Sequence, residues 1–216
     1  MADPEPERCC FDDWVDDWVV QARKNGVARA LTRPLLQALD DAGLDGRTVL
    51  DLGCGIGDLA IGTVDRGASA ATGIDLSAKA IAAARSLASE RGVADRTSFD
   101  VGDAAEVELP NADVVALHRV FCCYPNVGGL LDRSLEAAGS VYAFTVPVST
   151  GIVGGFERTR AAISNVWYRL RSRTFGGFQV YIHDVRAIDE RVRAAGFHRV
   201  RRERHRVVWE LAVYAR

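Results

Sequence analysis

The stretch VLDLGCGIGDLA, Val49 to Ala60, ends an apolar run in three alternate glycines, Gly53, Gly55 and Gly57, with a carboxylate on either side at Asp51 and Asp58. Glycines at that spacing let a backbone come close to a ligand, and the N-terminus of a following helix offers N–H groups to an anion. Dinucleotide sites carry G-x-G-x-x-G; here the spacing is G-x-G-x-G. In a partly dry cleft Asp51 would repel a pyrophosphate, so the loop reads as a site for a ligand whose reactive end is positive. Two more acids fall where such a ligand has polar groups. Asp75 ends the next apolar run in GIDLS, followed by Leu76, and an acid there accepts hydrogen bonds from ribose hydroxyls. Asp103, in VGDAAEVELP, is placed to accept from a base amino group, with the Ala104 N–H facing the ring.

S-adenosylmethionine has these properties: a sulfonium, an ammonium group, one carboxylate and no phosphate. The segments VLDLGCGIGDLA, GIDLS and VGDAAEVELPNADVVALHR, in that order and spacing, resemble the class I S-adenosylmethionine-dependent methyltransferases. The wording of LHRVFCCYPN is similar to a little-described subgroup distantly like the magnesium-protoporphyrin O-methyltransferases. The resemblance implies a Rossmann-like, doubly wound α/β fold. Its sheet would be mostly parallel and seven-stranded with the last strand antiparallel, helices would cover both faces, and the cofactor would lie across strands one to four. It places Asp51 near the methionyl end, Gly53, Gly55 and Gly57 on the loop floor, Asp75 and Leu76 at the ribose, and Asp103 with Ala104 at the adenine.

Acceptor-side candidates follow the fourth apolar run. His118 stands at its carboxyl end, either as a general base or contacting the cofactor through its backbone. Tyr124 has a hydroxyl to donate to a substrate oxygen, or a ring packed beside Pro125. His183 approaches from the C-terminal side or caps a strand end. Cys122 and Cys123 are soft nucleophiles or ordinary buried thiols. The Asn/Asp-Pro-Pro-aromatic tetrad of N6-adenine methyltransferases is absent from this point.

These residues need a scaffold, and the 216-residue chain supplies an alternation of strand and helix patterns from Thr48 onward. The expected organisation is one domain: a helical cap over 1–46, a cofactor-binding core over 47–149, and a substrate-side insert with a closing hairpin over 150–216. FDDWVDDWVVQA has Phe11, Trp14, Val15, Trp18 and Ala22 at helical spacing, a lid candidate with Phe11, Trp14 and Trp18 inward and residues 22–26 near the methionyl carboxylate. A second helix is expected through residues 26–43, broken or restarted at Pro34. Ser77 and Gly92 bound another helix as caps. Asp184 is an N-cap candidate, a helix is expected near RAAISNVWYRLRSR, and FQVYI reads as a short strand. Trp167, Tyr168 and Phe178 offer an apolar wall; Arg169, Arg171 and Arg173 face solvent or an acidic substrate.

Net charge is −2, but residues 1–17 hold seven acids and one Arg, whereas 157–216 hold fourteen Arg and six acids. That local excess could attract an anionic partner. Five cysteines without a C-x-x-C give neither a disulfide framework nor a zinc pattern, so no metal is expected. An acidic start and no apolar run of spanning length predict a cytoplasmic protein with no membrane contact. The leading expectation is small-molecule O-methylation. The alternatives are an RNA methyltransferase, with nucleic acid otherwise unlikely as a partner, a catalytically silent S-adenosylmethionine-binding protein, and a dehydrogenase.

Overall fold

The computed structural model describes residues 9–26, 32–171 and 178–216. In chain order the elements are α1 (Asp12–Asn25), α2 (Arg33–Asp41), β1 (Thr48–Leu52), α3 (Asp58–Val64), β2 (Ala70–Asp75), α4 (Ala78–Glu90), β3 (Thr97–Val101) and β4 (Ala112–His118). A 3-10 turn over Phe121–Cys123 follows, then α5 (Val127–Ala137), β5 (Ala138–Pro147), α6 (Gly151–Leu170), α7 (Val185–Ala194), β6 (His198–His205) and β7 (Trp209–Ala215).

The seven strands form one sheet in the order β3-β2-β1-β4-β5-β7-β6. Strands β1 to β5 run parallel, and β7 is antiparallel to both β5 and β6. This is the doubly wound, Rossmann-like arrangement expected, with the last strand reversed. β1 and β4 are neighbours although the chain travels from β1 outward to β3 before returning, so strand order reverses between them. In open parallel sheets that crevice, at the carboxyl ends of the strands, is where ligands bind.

The central strands are buried on both faces, as βαβ crossovers require. Alternate side chains divide into two cores. Val49, Val114, Ala116 and Val141 pack beneath α1 to α4. Leu50, Leu52, Val115, Leu117, Tyr142 and Phe144 pack with α5 and α7. The helix starts carry the caps read from sequence: the Ser77 hydroxyl accepts from the Ala80 N–H and Asp184 accepts from the Arg186 N–H. Gly92 closes α4 at φ 69°. Pro34 lies in the first turn of α2, where its missing N–H costs nothing; the front of the expected second helix, residues 27–31, lies outside the described residues.

Two expectations need correction. FQVYI is not a strand: residues 178–184 have no regular structure. Their backbone groups are satisfied elsewhere, Val180 by both ends of the Asn165 side-chain amide and Tyr181 N–H by the Cys122 carbonyl at 2.7 Å. And α6 begins at Gly151, about two and a half turns before the segment that signalled it, because Gly154 lets its first turn lie against Ser149; a Cβ at Gly154 would stand 2.3 Å from the Ser149 carbonyl carbon.

Candidate active site

The glycine loop joins β1 to α3 at the strand-order reversal. Its first two glycines do different jobs. Both have positive φ, 69° at Gly53 and 54° at Gly55, a region costly for other residues. A Cβ on Gly53 would also strike Val120 Cγ2 at 2.4 Å, so that glycine is required by packing. A Cβ on Gly55 would meet only the Trp18 ring, at 4.0 Å. Gly55 is therefore the open point of the loop. Gly57, the N-cap of α3, faces Phe99 and Ala84, and belongs to the packed floor.

Asp51, the penultimate residue of β1, is fully buried, at 1 % exposure. Its Oδ2 accepts the Ala60 N–H at 3.2 Å, while Oδ1 has no hydrogen-bond partner among the described residues. Burial pushes its pKa up to about 8; the Ala60 N–H opposes that, and the nearby Asp75 and Asp58 carboxylates add to it. Asp75, half-buried, pins the loop: Oδ2 accepts the Gly55 N–H at 2.8 Å and Oδ1 the Ser77 N–H at 2.9 Å. Its pKa is also raised, by burial first, with the two N–H bonds pulling the other way and Asp12 adding repulsion. Leu76 beside it is exposed. At the carboxyl end of β3, Asp103 accepts the Ala105 N–H at 2.9 Å, and Ala104 lies half-buried between them.

Sequence reasoning missed the partner of Asp103. The Tyr124 hydroxyl donates to that carboxylate, at 2.8 and 3.0 Å to its two oxygens. Burial and the Asp103 charge raise the Tyr124 pKa to about 12, so the phenol stays protonated and its proton is committed to Asp103. His183 holds the same loop from outside through its Nε2 and the Tyr124 carbonyl, 2.9 Å apart, and stacks on Tyr181.

His118 is turned the other way. Its Nδ1 lies 2.9 Å from the Thr145 hydroxyl, which also accepts the Arg119 N–H. The ring lines a hollow with Pro34, Thr145, Trp209 and Glu210, beside the glycine loop and not over it, with room for about one water molecule. Arg119 adopts φ 63° and lays its guanidinium over Trp209 at 4.7 Å. Cys122 is buried and Cys123 half-buried, their sulfurs 3.4 Å apart.

Helix α1, the lid candidate, is docked on α4. α1 packs on α4 through Ser77 Oγ to Asp12 at 2.5 Å, Lys79 to Asp16 at 2.7 Å and Arg23 to Glu90 at 2.6 Å. The Arg23–Glu90 pair ties the end of α1 to the far end of α4, so the Arg23 guanidinium is held there and not at the loop. Phe11 and Trp14 meet Phe178 at 5.3 and 5.7 Å, and Phe178 meets Tyr168 of α6 at 4.9 Å. Two of the three expected wall residues thus close on the lid. Trp167 turns outward beneath Arg171, and Arg173 lies outside the described residues.

Residues 49–136, which contain every acid of the site, match the family model of a methyltransferase domain. The chain carries a class I methyltransferase domain. Ribosomal protein L11 methyltransferase from Salmonella arizonae is 39 % identical over 108 residues, covering 46 % of this chain and 37 % of that protein. The same enzyme from Actinobacillus succinogenes is 33 % identical over 144 residues, 64 % of this chain and 49 % of that protein. The chain thus spans less than half the length of these curated relatives. Among solved structures, magnesium protoporphyrin IX methyltransferase from Synechocystis with bound SAH superposes with a TM-score of 0.64 over 96 % of this chain and 84 % of that one, at 20 % identity. The [4+2]-cyclase SpnF superposes with 0.66 over 98 % and 97 %, at 17 % identity. At these identities the likeness is one of fold. No helix among the described residues is long and apolar enough to cross a membrane.

Proposed function

We propose that this methyltransferase domain binds S-adenosylmethionine over the glycine loop and directs its methyl group to an oxygen of a small molecule. The carrying observation is the Asp51 carboxylate, buried with one oxygen that has no hydrogen-bond partner among the described residues, on the strand that leads into the loop where Gly55 leaves open space. A buried acceptor without a donor is costly, and the ammonium and sulfonium of this cofactor are what such a group lacks. Asp75 has lone pairs left for ribose hydroxyls, and Asp103, held by Tyr124, for an adenine amino group. Leu76 and Ala104 offer apolar faces beside them. Bound there, the sulfonium supplies an activated methyl group.

The chain's own residues then do two things. Asp51 and Asp75 set the ligand's position, which is most of what an in-line displacement needs. The lid, with Trp18 over Gly55 and the Phe11–Trp14–Phe178 cluster beyond it, keeps water away. The His118 ring is held by Thr145 in the hollow with Pro34 and Trp209, so the proton of a hydroxyl acceptor is not assigned to it. A lid of aromatic rings suits a small apolar acceptor better than a polymer. Part of the basic C-terminal region is also spent internally: at least six of its fourteen arginines are in ion pairs with acids of this chain, which weakens the case for RNA. A second reading, methylation of a protein, is favoured by the identity to ribosomal protein L11 methyltransferases.

Incubation with methyl-labelled S-adenosylmethionine and, separately, a metabolite extract, total RNA and ribosomal proteins, followed by mass spectrometry, tests the proposal. Label in a small oxygen-methylated product is expected. Label only in protein or RNA would replace the acceptor class, and binding of the cofactor with no labelled product anywhere would leave a silent binding protein.

A further inference from the structure

Helix α6 carries an exposed apolar seam that the site does not use. Ile152, Phe156, Thr159, Ile163, Val166 and Leu170 recur at spacings of 4, 3, 4, 3 and 4 along it, the a/d repeat of a coiled coil. The five large apolar members are between 60 % and 94 % exposed. Thr159 returns its hydroxyl to the Gly155 carbonyl at 3.1 Å, so it too can present a methyl group to the seam. A surface helix normally turns such a stripe inward; here the inward face is made by Gly154, Glu157 and Ala161 instead.

We propose that α6 pairs antiparallel with α6 of a second copy of this chain. Three features of the helix select that occupant. The first is symmetry. The seam's spacings read the same in both directions about residue 161, so a two-fold axis there stacks Ile152 on Leu170, Phe156 on Val166 and Thr159 on Ile163 of the other copy. Those are the a–d layers of an antiparallel pair, and an isologous interface requires this self-complementarity. The second is bulk and charge beside the axis. One flank holds only Gly155 and Ala162 near the centre, and a Cβ on Gly155 would meet nothing within 4 Å, so two helices can approach closely. On the other flank Arg160 is already neutralised by Glu157 of its own helix, through a bidentate pair at 2.5 and 3.1 Å. Two copies therefore do not bring uncompensated arginines together at the axis. The third is area. At roughly 200 Å² for each large apolar residue, the five expose roughly 700 Å², close to the ~800 Å² per partner of a standard stable interface.

The test uses the full chain. Sedimentation velocity at ~10 μM and above, where an interface of this size should be populated, is expected to give twice the 23.4 kDa chain mass. The double variant Phe156→Glu/Ile163→Glu is expected to run as a monomer with an unchanged far-ultraviolet spectrum. Single cysteine substitutions, compared with the parent under mild oxidant, fix the geometry. Ala162→Cys should cross-link two copies across the axis, whereas Ile152→Cys should not, because the two copies of that position lie at opposite ends of the paired helices. A monomeric parent overturns the proposal. So does a double variant that still dimerises, or equal cross-linking at both positions, which marks a parallel pair. A monomer that instead sediments with anionic phosphatidylserine–phosphatidylcholine vesicles, and loses this in the double variant, assigns the seam to a membrane surface and refutes the second copy.

Discussion

Replacing Asp51 by Asn should make the ligand-free protein more stable and a poorer binder, and the first effect should depend on pH in a definite direction. Burial raises the Asp51 pKa from 3.8 to about 8. An acid whose pKa is higher in the folded state holds a proton that the unfolded chain has released between those two values. Stability contributed by this group is therefore complete below about pH 4, falls as pH rises, and is fully lost above about pH 8. At 1.36 kcal/mol per unit, the full span is about 6 kcal/mol, and about 4 kcal/mol is already lost at pH 7. Asn carries no charge to bury, and its carbonyl can keep the Ala60 N–H. Its amide must occupy the place of Oδ1, which has no partner among the described residues, at a cost of about 1–3 kcal/mol. At pH 8, where about 5 kcal/mol has been lost, the net expectation is a gain of about 2–4 kcal/mol, or roughly 4–16 °C in Tm for a chain of this size. That gain should shrink towards pH 5, where the native carboxyl is already neutral. Thermal melts of both proteins from pH 5 to 9, with calorimetric titration of S-adenosylmethionine at pH 8, measure both halves, and affinity should fall at least tenfold. A variant less stable than the parent at pH 8, or a difference that does not change with pH, would refute the burial argument. Unchanged affinity would refute the placement of the cationic ligand.

Four further outcomes are expected. Gly55→Ala should cost about 1–2 kcal/mol for its backbone conformation alone yet sharply weaken cofactor binding, whereas Gly53→Ala should cost more because its Cβ also collides with Val120; denaturant titrations and calorimetry on the pair separate the two roles. Trp18→Ala should leave the fold intact and speed cofactor dissociation by about tenfold or more, read by stopped-flow fluorescence; an unchanged off-rate would mean that α1 is not a lid. Tyr124→Phe removes the donor to Asp103 and should lower stability by about 1 kcal/mol, while a matching loss of cofactor affinity by calorimetry would show that Asp103 needs this hydroxyl to stay in position; His118→Ala should leave turnover and cofactor affinity close to the parent's, and a large loss of turnover in enzyme assays would show that the ring reaches the acceptor.

Much of this architecture was legible in the residues because local pattern and global fold agree. Largely apolar runs closed by Gly53, Asp75 and His118 marked β1, β2 and β4, and the caps Ser77 and Asp184 sit where their side chains suit a helix start. The acids at 51, 75 and 103 were recognisable because each lies at or just past the carboxyl end of a strand, and the topology brings those ends together. What sequence could not supply were pairings between distant loops. Nothing in YPN announces that Tyr124 will reach Asp103, twenty-one residues earlier. His118 was placed correctly on its strand, but side-chain direction alternates along a strand, and its ring went to Thr145 and Trp209. FQVYI had the composition of a strand and no strand to pair with; the amide of Asn165 took its hydrogen bonds. Arg23 looked available for a carboxylate ligand and found Glu90 on α4 instead.

The sheet order carries one more consequence, for how the molecule is made. β7 is inserted between β5 and β6, so residues 209–215 separate two strands that precede them in the chain. On the ribosome, β1 to β5 can assemble as they emerge, but β6 has nothing to lie against until Ala215 has cleared the exit tunnel. Until then β5 presents a bare apolar edge, a hazard for sticking to a neighbour. A nick or frameshift after His205 would leave that edge permanently open, and the product should be cleared by proteases instead of accumulating as a shortened, working protein.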